Sequence, residues 1–381
     1  MTATERGRIL VKFAELIVLH ADEIALIEAR DTGKPMTVAR NDIVAVARYF
    51  EYYGGAADKV HGEQIPYMNG YNVQVLGTSS ISSSAPTVFL NTGTIQLGTG
   101  ASDRVTFAGG LTATNPSLIK LAGTIISNGP ASIGDSNTSV QLMGDATINT
   151  SGASSATNSA LSIGGSTMGA GYGLTLISGN GVTTTGSLGA SGQGLGAISI
   201  TADEFNPTAN IYGQSSLLIK PSTSGVAMLL GGANNVDGTL DLTSTELTYL
   251  QPGFTGVTFG SATTGAITLS SDQTFTSAIT FETNGANINI GGNLTGVGNG
   301  SFTFSDPVVI TASSVDITTA NKDILFSGLV DGNSSAANSL SIHPGSANIT
   351  FNGKVGSLSD LNVFTLDGSG DTWINDRVNT A

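Results

Sequence analysis

The chain has 381 residues, a formal net charge of −14 at neutral pH and no cysteine. Phosphate binding needs clustered Lys and Arg, which are few and scattered here, so the composition argues against nucleic acid or an anionic membrane as partner. The absence of cysteine excludes disulfides, cysteine-ligated zinc and a thiol nucleophile.

The composition changes abruptly near Leu76. Residues 1–70 hold 8 of the 14 Lys and Arg and 10 of the 28 Asp and Glu, a local charge of 8 − 10 = −2, and the later residues carry 6 − 18 = −12. Only 6 of the 51 glycines precede residue 71. A high glycine density disfavours helices and suits tight turns. We therefore predict a helical domain over residues 1–76 and a strand-rich domain over residues 77–381.

The first domain begins with the pattern of an amphipathic helix. Thr2 and Glu5 have the spacing of a capping box. Apolar residues then recur at helical intervals, at Ile9, Leu10, Phe13, Leu16 and Ile17. Lys12 and Glu15 interrupt the run, so we expect a helix rather than a signal peptide.

Two more helices are predicted before the change in composition. The second runs from Asp22 to Gly33, with Ile24 and Ile27 on its buried side. The third runs from about Thr37 to Tyr53, and the glycine pair that follows, Gly54 and Gly55, should end it. The expected fragment therefore has about three α-helices.

Three stretches of this domain carry a family resemblance. They are RGRILVKFAELI (6–17), ARDTGKP (29–35) and ARYFEYYGGAADKVHGEQIP (47–66), and they resemble the N-terminal region of aldehyde dehydrogenases. The resemblance covers residues 1–76 and implies helices on the outside of a nicotinamide-cofactor domain. It also implies a catalytic Cys, a general-base Glu, an oxyanion Asn and Rossmann strands further along. This sequence continues instead with VQVLGTSSISSSAPTVFL (73–90).

Enzymatic activity is not expected from this fragment. Aldehyde oxidation by the family's route needs a thiolate to form a covalent adduct, and the chain has no cysteine. Lys34, His61 and Glu63 could suggest acid–base chemistry, but charged residues on surface helices and loops are usually solvated. We therefore predict no catalytic residue, no cofactor and no metal. The alternative is an aldehyde dehydrogenase by the similarity of this segment alone.

The second domain is dominated by short segments in which apolar and polar residues alternate. Examples are Thr94–Leu97, Val105–Phe107, Ala146–Asn149 and Ala266–Leu269, each typical of a strand with one buried face. Turns rich in Gly, Ser, Asn and Asp separate them. Helical periodicity is nearly absent, and 243–250 is the best candidate for a single helical turn. The longest apolar runs are a handful of residues, far below the roughly 20 that span a bilayer, so no membrane insertion is expected.

Internal similarity predicts that these strands form a repeat array. LTLISGNGVTTTGSLG (174–189) aligns with LSIHPGSANITFNGKVG (340–356) with one extra residue in the turn. At about 20 to 25 residues per coil, the domain should form roughly 12 to 15 stacked coils. We predict a right-handed parallel β-helix that buries Val, Ile, Leu and Phe. The asparagines at 234–235, 287, 289 and 293 fit two interpretations, side-chain ladders between coils or ordinary loop positions.

This domain also resembles a family. SSLLIKPSTSGVAMLLGG (215–232), LDLTSTELTYLQPGFTGVTFGSATTGAITL (240–269) and FTFSDPVVITA (302–312) resemble repeats of secreted adhesins of the filamentous-haemagglutinin type, whose bodies are right-handed parallel β-helices. The resemblance implies export through an outer-membrane partner and a passive role at the cell surface. The sequence departs from that family because a signal peptide, a secretion domain and a closing domain are missing.

Two acidic groups in this domain have candidate chemistry. Asp203 and Glu204 form the only adjacent acidic pair after residue 76 and could act as the paired carboxylates of a β-helical glycan-processing enzyme. An exposed corner before Asn206 is the simpler interpretation. Asp367, Ser369 and Asp371 have the spacing that opens a calcium loop, but the later positions do not fit one. We interpret them as a solvated turn.

Other candidates are weaker. The glycine-rich strings GAGYG (169–173) and GQGLG (192–196) do not match a phosphate loop and open no helix, so turns are expected. His343 has no second histidine nearby for a metal. Trp373, the sole tryptophan, could stack on a sugar, but packing against a neighbouring coil is favoured.

Together these patterns favour a non-enzymatic adhesive or structural solenoid of a cell-surface or secreted exoprotein, fused to an inactive dehydrogenase fragment. Expected partners are a surface glycan or protein and the neighbouring repeats of a longer parent protein. A β-helical glycan-processing enzyme is the further alternative. Each piece stops where its family would continue, which favours an artefact of the gene model or assembly, or an aberrant recombination.

Overall fold

The computed structural model contains both predicted architectures and describes residues 3–56 and 71–380, except 154, 156, 158, 170 and 334–336. The chain divides into two compact units, Met1–Gln64 and Ile65–Ala381. The predicted domain boundary after residue 76 falls inside the second unit.

The first unit consists of helices that pack through small side chains. They are α1 (Ala3–Leu19), α2 (Ala21–Thr32) and α3 (Met36–Ala56). Their shared core is rich in alanine and consists of Ala14, Ile17, Ala25, Ala39, Ile43 and Ala47. Gly33 ends α2 in the left-handed conformation, with φ of 73°, as the sequence predicted. The predicted cap residue Thr2 lies outside the described residues.

The prediction that Gly54 and Gly55 end the third helix is wrong, because α3 continues to Ala56. A Cβ atom on Gly54 would lie 2.8 Å from Val11 Cγ2 and 3.0 Å from the carbonyl oxygen of Gly7. Gly54 therefore allows α3 to approach α1 closely. The glycine serves helix packing rather than helix termination.

The apolar face predicted for α1 is only partly buried. Ile17 is in the core, but Ile9, Phe13 and Leu16 are 55%, 47% and 45% exposed. Ile27 of α2, also predicted to be buried, is 63% exposed. The alanine-rich core uses the neighbouring stripe of α1, so the first helix carries a second apolar stripe, Ile9, Phe13 and Leu16, on its surface.

Strands make up most of the second unit. Its first half contains β1 (Val73–Val75), β2 (Thr78–Ile81), β3 (Thr87–Val88), β4 (Thr94–Leu97), β5 (Arg104–Phe107), β6 (Leu111–Ala113), β7 (Leu118–Ser127), β8 (Ala131–Ile133), β9 (Ser139–Asn149), β10 (Leu161–Met168), β11 (Leu174–Leu188) and β12 (Ile198–Pro207).

The second half continues with shorter strands and one helical turn. These are β13 (Ser216–Lys220), β14 (Ala227–Leu230), β15 (Thr239–Leu242), α4 (Ser244–Thr248), β16 (Gly256–Gly260), β17 (Ile267–Leu269), β18 (Gln273–Phe275), β19 (Ile279–Glu282), β20 (Ile288–Ile290), β21 (Leu294–Gly296), β22 (Phe302–Phe304), β23 (Val308–Ile310), β24 (Ser314–Thr319), β25 (Ile324–Phe326), β26 (Val330–Gly332), β27 (Ser339–Gly345), β28 (Ile349–Phe351), β29 (Val363–Gly368) and β30 (Thr372–Ile374).

These strands stack as the coils of a parallel β-solenoid of about 13 turns. The chain returns to one face once per coil at nearly regular intervals. The successive parallel partners on this face are Ile279, Phe302, Ile324, Ile349 and Thr372. Two further faces run through β14-β17-β20-β23-β26 and β18-β21-β24-β27-β29. Each later coil therefore has three strand positions. The prediction of a stacked parallel coil is confirmed.

Aromatic side chains form a column inside the later coils. Phe259, Phe281, Phe304, Phe326 and Phe351 are fully buried and come from successive strands of one face. From Phe304 to Phe351, neighbouring ring centroids are 4.8 Å apart and the rings are within 8° of parallel. The strand repeat sets this separation. Each ring covers the next, so the interior is continuous along the stack.

Polar side chains link the coils at the turns. Asp272 Oδ1 accepts a hydrogen bond from the backbone N–H of Asn293, and Asn293 Oδ1 accepts one from Asp316. A second ladder has the same form. Asp323 Oδ1 accepts a hydrogen bond from the backbone N–H of Asn348, and Asn348 Oδ1 accepts one from the backbone N–H of Asp371. The sequence indicated ladders, as one of two interpretations, from asparagine alone. Aspartate alternates with asparagine because the role needs only an oxygen acceptor.

The two repeats that align in sequence also match in backbone conformation. Leu174 and Leu176 are fully buried, as are Leu340 and Ile342. Gly179 and Gly345, which align, have φ of 61° and 67°, and the glycines that close the repeats, Gly189 and Gly356, have φ of 70° and 67°. Left-handed positions therefore recur at the same corners of distant coils.

One coil is longer than its neighbours. Leu218 of β13 pairs with Thr258 of β16, a wider separation along the chain than between other successive partners on this face. The additional residues hold β15, which pairs back onto the preceding strand β14, and the short helix α4. Thr243 and Glu246 form a capping box at the start of α4, which confirms the predicted helical turn in 243–250.

Candidate functional site

The adjacent acidic residues Asp203 and Glu204 do not act as a pair. The Asp203 carboxylate accepts hydrogen bonds from the backbone N–H groups of Ser222 and Thr223 at 2.9 and 2.8 Å, and from the Thr223 hydroxyl. It therefore holds the turn that follows β13. Glu204 faces a different set of groups.

Glu204 meets two carboxyl groups brought in by the long coil. Strand β12 contacts β15, which carries Asp241, and α4 follows with Glu246. Burial, together with the negative charges of Asp241 and Glu246, raises the pKa of Glu204 to about 7. The three residues form what we call the acidic junction.

Within the acidic junction, the two residues that face Glu204 are buried. Asp241 is fully buried, and its two carboxylate oxygens accept the backbone N–H groups of Asn235 and Val236 at 3.0 and 2.7 Å. Glu246 is 8% exposed and accepts the backbone N–H and hydroxyl of Thr243. Glu204 Oε1 is buried without a hydrogen-bond partner among the described residues.

Burial and the neighbouring carboxyl groups favour the protonated form of Glu204, which is itself only partly buried. A carboxyl with a pKa near neutrality beside a second carboxyl is the electrostatic arrangement of an acid–base pair. A glycoside would have to reach both groups, and the second carboxylate is already bound to backbone amides inside the coil. The geometry is that of a structural joint between β12 and β15.

The junction was not found from the sequence, because its three residues are far apart along the chain. The adjacency of Asp203 and Glu204 was misleading, since the two side chains contact different neighbours. Between β11 and β12 the register shifts from Ala202 opposite Gly179 to Glu204 opposite Val182, so the strand is irregular at this point. The sequence predicts a helical turn in 243–250, which contains Glu246, but this gives no sign that Glu246 lies beside Glu204.

The candidate residues of the helical unit do not form a site. Lys34 Nζ makes ion pairs with Glu28 and Asp42 at 2.8 and 2.9 Å, and hydrogen bonds to these carboxylates raise its pKa. Lys34 therefore links the end of α2 to α3. His61 and Glu63 lie outside the described residues.

The candidates near the C-terminus are dispersed as well. His343 Nδ1 lies 3.5 Å from Asp367 Oδ2, an exposed contact between β27 and β29. The hydroxyl of Ser369 and the amide of Asp371 bind the preceding coil, at Gly345 and Asn348. No group of three or more His, Asp or Glu side chains within the described ranges is arranged to hold a metal ion.

The sole tryptophan and the glycine-rich strings occupy the coil surface. Trp373 pairs with Thr350 through the backbone and is 47% exposed. Gly171 and Gly192 have φ of 83° and 72°, as turn positions do. The string 192–196 begins inside a tight turn in which Ala190 and Gln193 bond to each other through the backbone. Within the described part of the chain, no helix is both long and apolar enough to cross a membrane.

Comparison with known proteins finds similarity over the first segment of the chain. The model of the aldehyde dehydrogenase family matches residues 1–79. Aldehyde dehydrogenase family 2 member B4, mitochondrial, of Arabidopsis thaliana is 44% identical over 77 residues, which are 20% of this chain and 14% of that protein. Benzaldehyde dehydrogenase, mitochondrial, of Antirrhinum majus is 46% identical over 77 residues, with the same two coverages. No solved structure matches the chain significantly.

These comparisons confirm the resemblance of the N-terminal segment to aldehyde dehydrogenases. The chain spans about a seventh of the length of these two relatives. The matched range also overlaps the solenoid, because β1 pairs with β4 and β2 pairs with β5 before the match ends at residue 79. Residues that align with a dehydrogenase thus supply the first strands of the coil.

Proposed function

We propose that this chain is a structural and adhesive β-solenoid of a cell-surface or secreted exoprotein, fused to an inactive dehydrogenase fragment. The observation that carries the proposal is the filled interior of residues 73–361, in which apolar side chains from successive coils pack against one another. A stack whose described interior is filled by apolar side chains offers an extended outer surface for binding. The resemblance of the repeats to secreted adhesins supports the same role.

The dehydrogenase segment is proposed to be catalytically inactive. The chain contains no cysteine, so it cannot form the thiolate adduct of the family's route. The residues that follow the matched segment form coils rather than alternating strands and helices. Purified chain should give no NAD- or NADP-dependent oxidation of acetaldehyde or benzaldehyde. Turnover above the no-protein control would restore the alternative of an aldehyde dehydrogenase.

A glycan-processing activity is not proposed for the acidic junction. Asp241 is buried and bound to backbone amides, and Asp203 is engaged in a turn. Incubation of the chain with neutral and acidic polysaccharides should release no reducing ends. Release that disappears in Glu204→Gln would contradict this part of the proposal.

Neighbouring repeats of a longer parent protein are proposed as one partner. In the last described coil, Val363, Trp373 and Ile374 are 49%, 47% and 40% exposed. Ile374 continues the column of inward side chains, since it pairs with Phe351. A further coil of the same type would cover these side chains and bond to the edges of β29 and β30.

The adhesive role is tested by attachment. Beads coated with the full chain should adhere to cultured animal cells above beads coated with an acidic globular protein of similar charge. Protease and periodate treatment of the cells then separate protein from glycan receptors. Equal attachment of the two bead types would overturn the adhesive role, and the structural role as a spacer would remain.

A further inference from the structure

An uncharged groove of about 430 Å³ crosses the outer surface of three successive coils. It is formed where β10, β11 and the segment 209–212 lie side by side. Ser166 pairs with Ser187, and the bridge between Leu188 and Ile211 brings the next coil into register. The groove is therefore a product of coil stacking and not of a single loop.

The register arranges the lining in two columns. One column runs through Ser166, Ser187 and Asn210, and the other through Met168, Gly189 and Tyr212. With coils about 4.8 Å apart, Met168 and Tyr212 are roughly 10 Å apart along their column. Gly189 lies between them in this column and has no side chain.

Gly189 is required at that position by its backbone. Its φ is 70°, and a Cβ atom would lie 2.6 Å from the carbonyl oxygen of Tyr212. The backbone corner at this point of the groove is therefore fixed by the close approach of the next coil. Met168 and Tyr212 line the groove before and after it in the column.

The polar groups of the groove are oriented by hydrogen bonds. Asn210 Nδ2 donates to the Tyr212 hydroxyl at 3.1 Å, and Gln251 Nε2 donates to Asn210 Oδ1 at 3.4 Å and to the Thr248 carbonyl at 3.0 Å. The Tyr212 hydroxyl accepts, so its own proton is directed away from Asn210. Ser187 donates to Ser166 at 3.0 Å. This pre-ordering lowers the cost of binding.

The lining chemistry defines the class of ligand. None of the lining residues that the structure describes carries a charge, although the chain has a net charge of −14. Anionic ligands are bound by Arg, Lys or clustered N–H donors, and cations by carboxylates. Hydroxyl and amide groups donate and accept at once, which matches a ligand that also does both. An aromatic face beside them suits the apolar face of a sugar ring.

We propose that this groove binds a neutral oligosaccharide, with one sugar ring against Tyr212 and its hydroxyl groups bonded to the serine and asparagine column. The inference rests on the proposed adhesive function and assigns that function a site. Tyr212 is the residue that contacts the sugar ring, and Asn210 positions the hydroxyl group of Tyr212.

The test is an array of immobilised neutral oligosaccharides ending in glucose, galactose or N-acetylhexosamine, printed beside their sulfated and sialylated forms. The best neutral binder is then titrated in solution with the full chain. We expect about 10-fold weaker binding for Tyr212→Ala and about 3- to 10-fold weaker binding for Tyr212→Phe, which loses one hydrogen bond. Tyr172→Ala, which removes an exposed tyrosine outside the lining, should bind as the natural chain does.

The outcomes separate this site from the broader function. Three results would each overturn the proposal that the groove binds a neutral oligosaccharide. They are binding restricted to charged glycans, no binding to the neutral glycans of the array, and neutral-glycan binding that is unchanged in Tyr212→Ala. If the coated beads still attach to cells in those cases, the adhesive function stands without this site. If the beads do not attach and neutral glycans bind through Tyr212, the site stands and the cellular role fails. Circular dichroism of each variant verifies that the fold is intact.

Discussion

The helical unit and the solenoid solve the problem of burying apolar surface in different ways. The helices share a core of small side chains, and Ile9, Phe13 and Leu16 stay at the surface of α1. The solenoid buries one continuous set of inward apolar side chains, since each coil is covered by the next. The three helices leave some of their own apolar surface uncovered. This is expected because the segment matches only about a seventh of the length of its relatives, whose remaining parts are not matched by this chain.

The comparison teaches where stability resides. A coil contributes through its neighbours, so the loss of one inward side chain affects a continuous interior. A three-helix unit of small residues depends on a few close backbone contacts. The following substitutions test that difference, from the largest expected effect to the smallest.

Removal of one ring from the aromatic column should have the largest effect. Phe304 is fully buried and stacks on Phe281 and Phe326. Phe304→Ala should lower the free energy of unfolding of the solenoid by about 3–5 kcal/mol, measured by urea unfolding with far-UV circular dichroism. Thr303→Ala, at the outward position beside it, should cost less than about 1 kcal/mol. Equal losses for the two variants would refute an inward column.

A larger residue at the closest helix contact should disrupt only the helical unit. Gly54→Leu forces a side chain against Val11 and the backbone of Gly7, with an expected cost of about 1–3 kcal/mol. The helical circular dichroism signal should melt earlier, and the strand signal should not move. Gly55→Ala is the control, because a Cβ atom there meets nothing within 4 Å. A shift of the strand transition by Gly54→Leu would contradict separate units.

The acidic junction should make solenoid stability depend on pH. The pKa of Glu204 is raised from 4.5 to about 7 in the folded chain, so folding favours its protonated form. That contribution is complete below the unfolded pKa of 4.5 and is lost as the pH rises through about 7. Glu204→Gln should remove the loss and be more stable than the natural chain at about pH 8, by an amount on the order of 1–2 kcal/mol.

The control for this experiment is Asp316→Asn, at an exposed position of β24. It should keep the pH dependence of the natural chain across the range from mildly acidic to mildly basic. A natural chain whose melting temperature is flat across this range would show that Glu204 is not held in the proposed environment.

Polar substitutions in the exposed stripe of α1 should have the smallest effect on folding. Ile9→Lys with Leu16→Lys should change the free energy of unfolding by no more than about 0.5 kcal/mol, as for other surface positions. The same variant should bind less of an apolar fluorescent dye. Ile17→Lys, at a core position, should instead unfold the helices. Loss of helix in the double variant would place the stripe in the core.

Much of this architecture could be predicted from local pattern. Alternation of apolar and polar residues predicted strands such as Thr94–Leu97, and the remaining helical pattern in 243–250 predicted the turn α4. These features are encoded within a few residues, where side-chain periodicity and backbone conformation act directly. The aldehyde dehydrogenase resemblance likewise depended on contiguous motifs, and the comparisons confirm it.

Features that depend on stacking register could not be predicted. Glu204 and Asp241 meet because the coil between β13 and β16 is longer than its neighbours and folds β15 back onto β14. The Tyr212 groove needs three coils in register. The two stripes of α1 are both apolar in sequence, so periodicity alone could not decide which one packs. Gly54 was assigned to termination because a close helix contact leaves no local signal.

The account depends most on the parallel stacking of coils, and distances along one outward column measure it directly. The successive parallel partners in this column are Thr147, Thr175, Ser199, Leu218, Thr258, Thr280, Thr303, Leu325 and Thr350. The chain has no cysteine, so spin labels can be placed in pairs through introduced cysteines. From Thr350, four steps along the column reach Thr258, six reach Ser199 and eight reach Thr147.

Electron–electron double resonance on these three pairs should give narrow distributions centred near about 19, 29 and 38 Å between backbone positions, a rise of about 4.8 Å per coil. The increments should hold although the long coil between Leu218 and Thr258 adds extra chain to the two wider pairs. Distances that do not increase along the series, or broad distributions in all three pairs, would contradict the stacked solenoid.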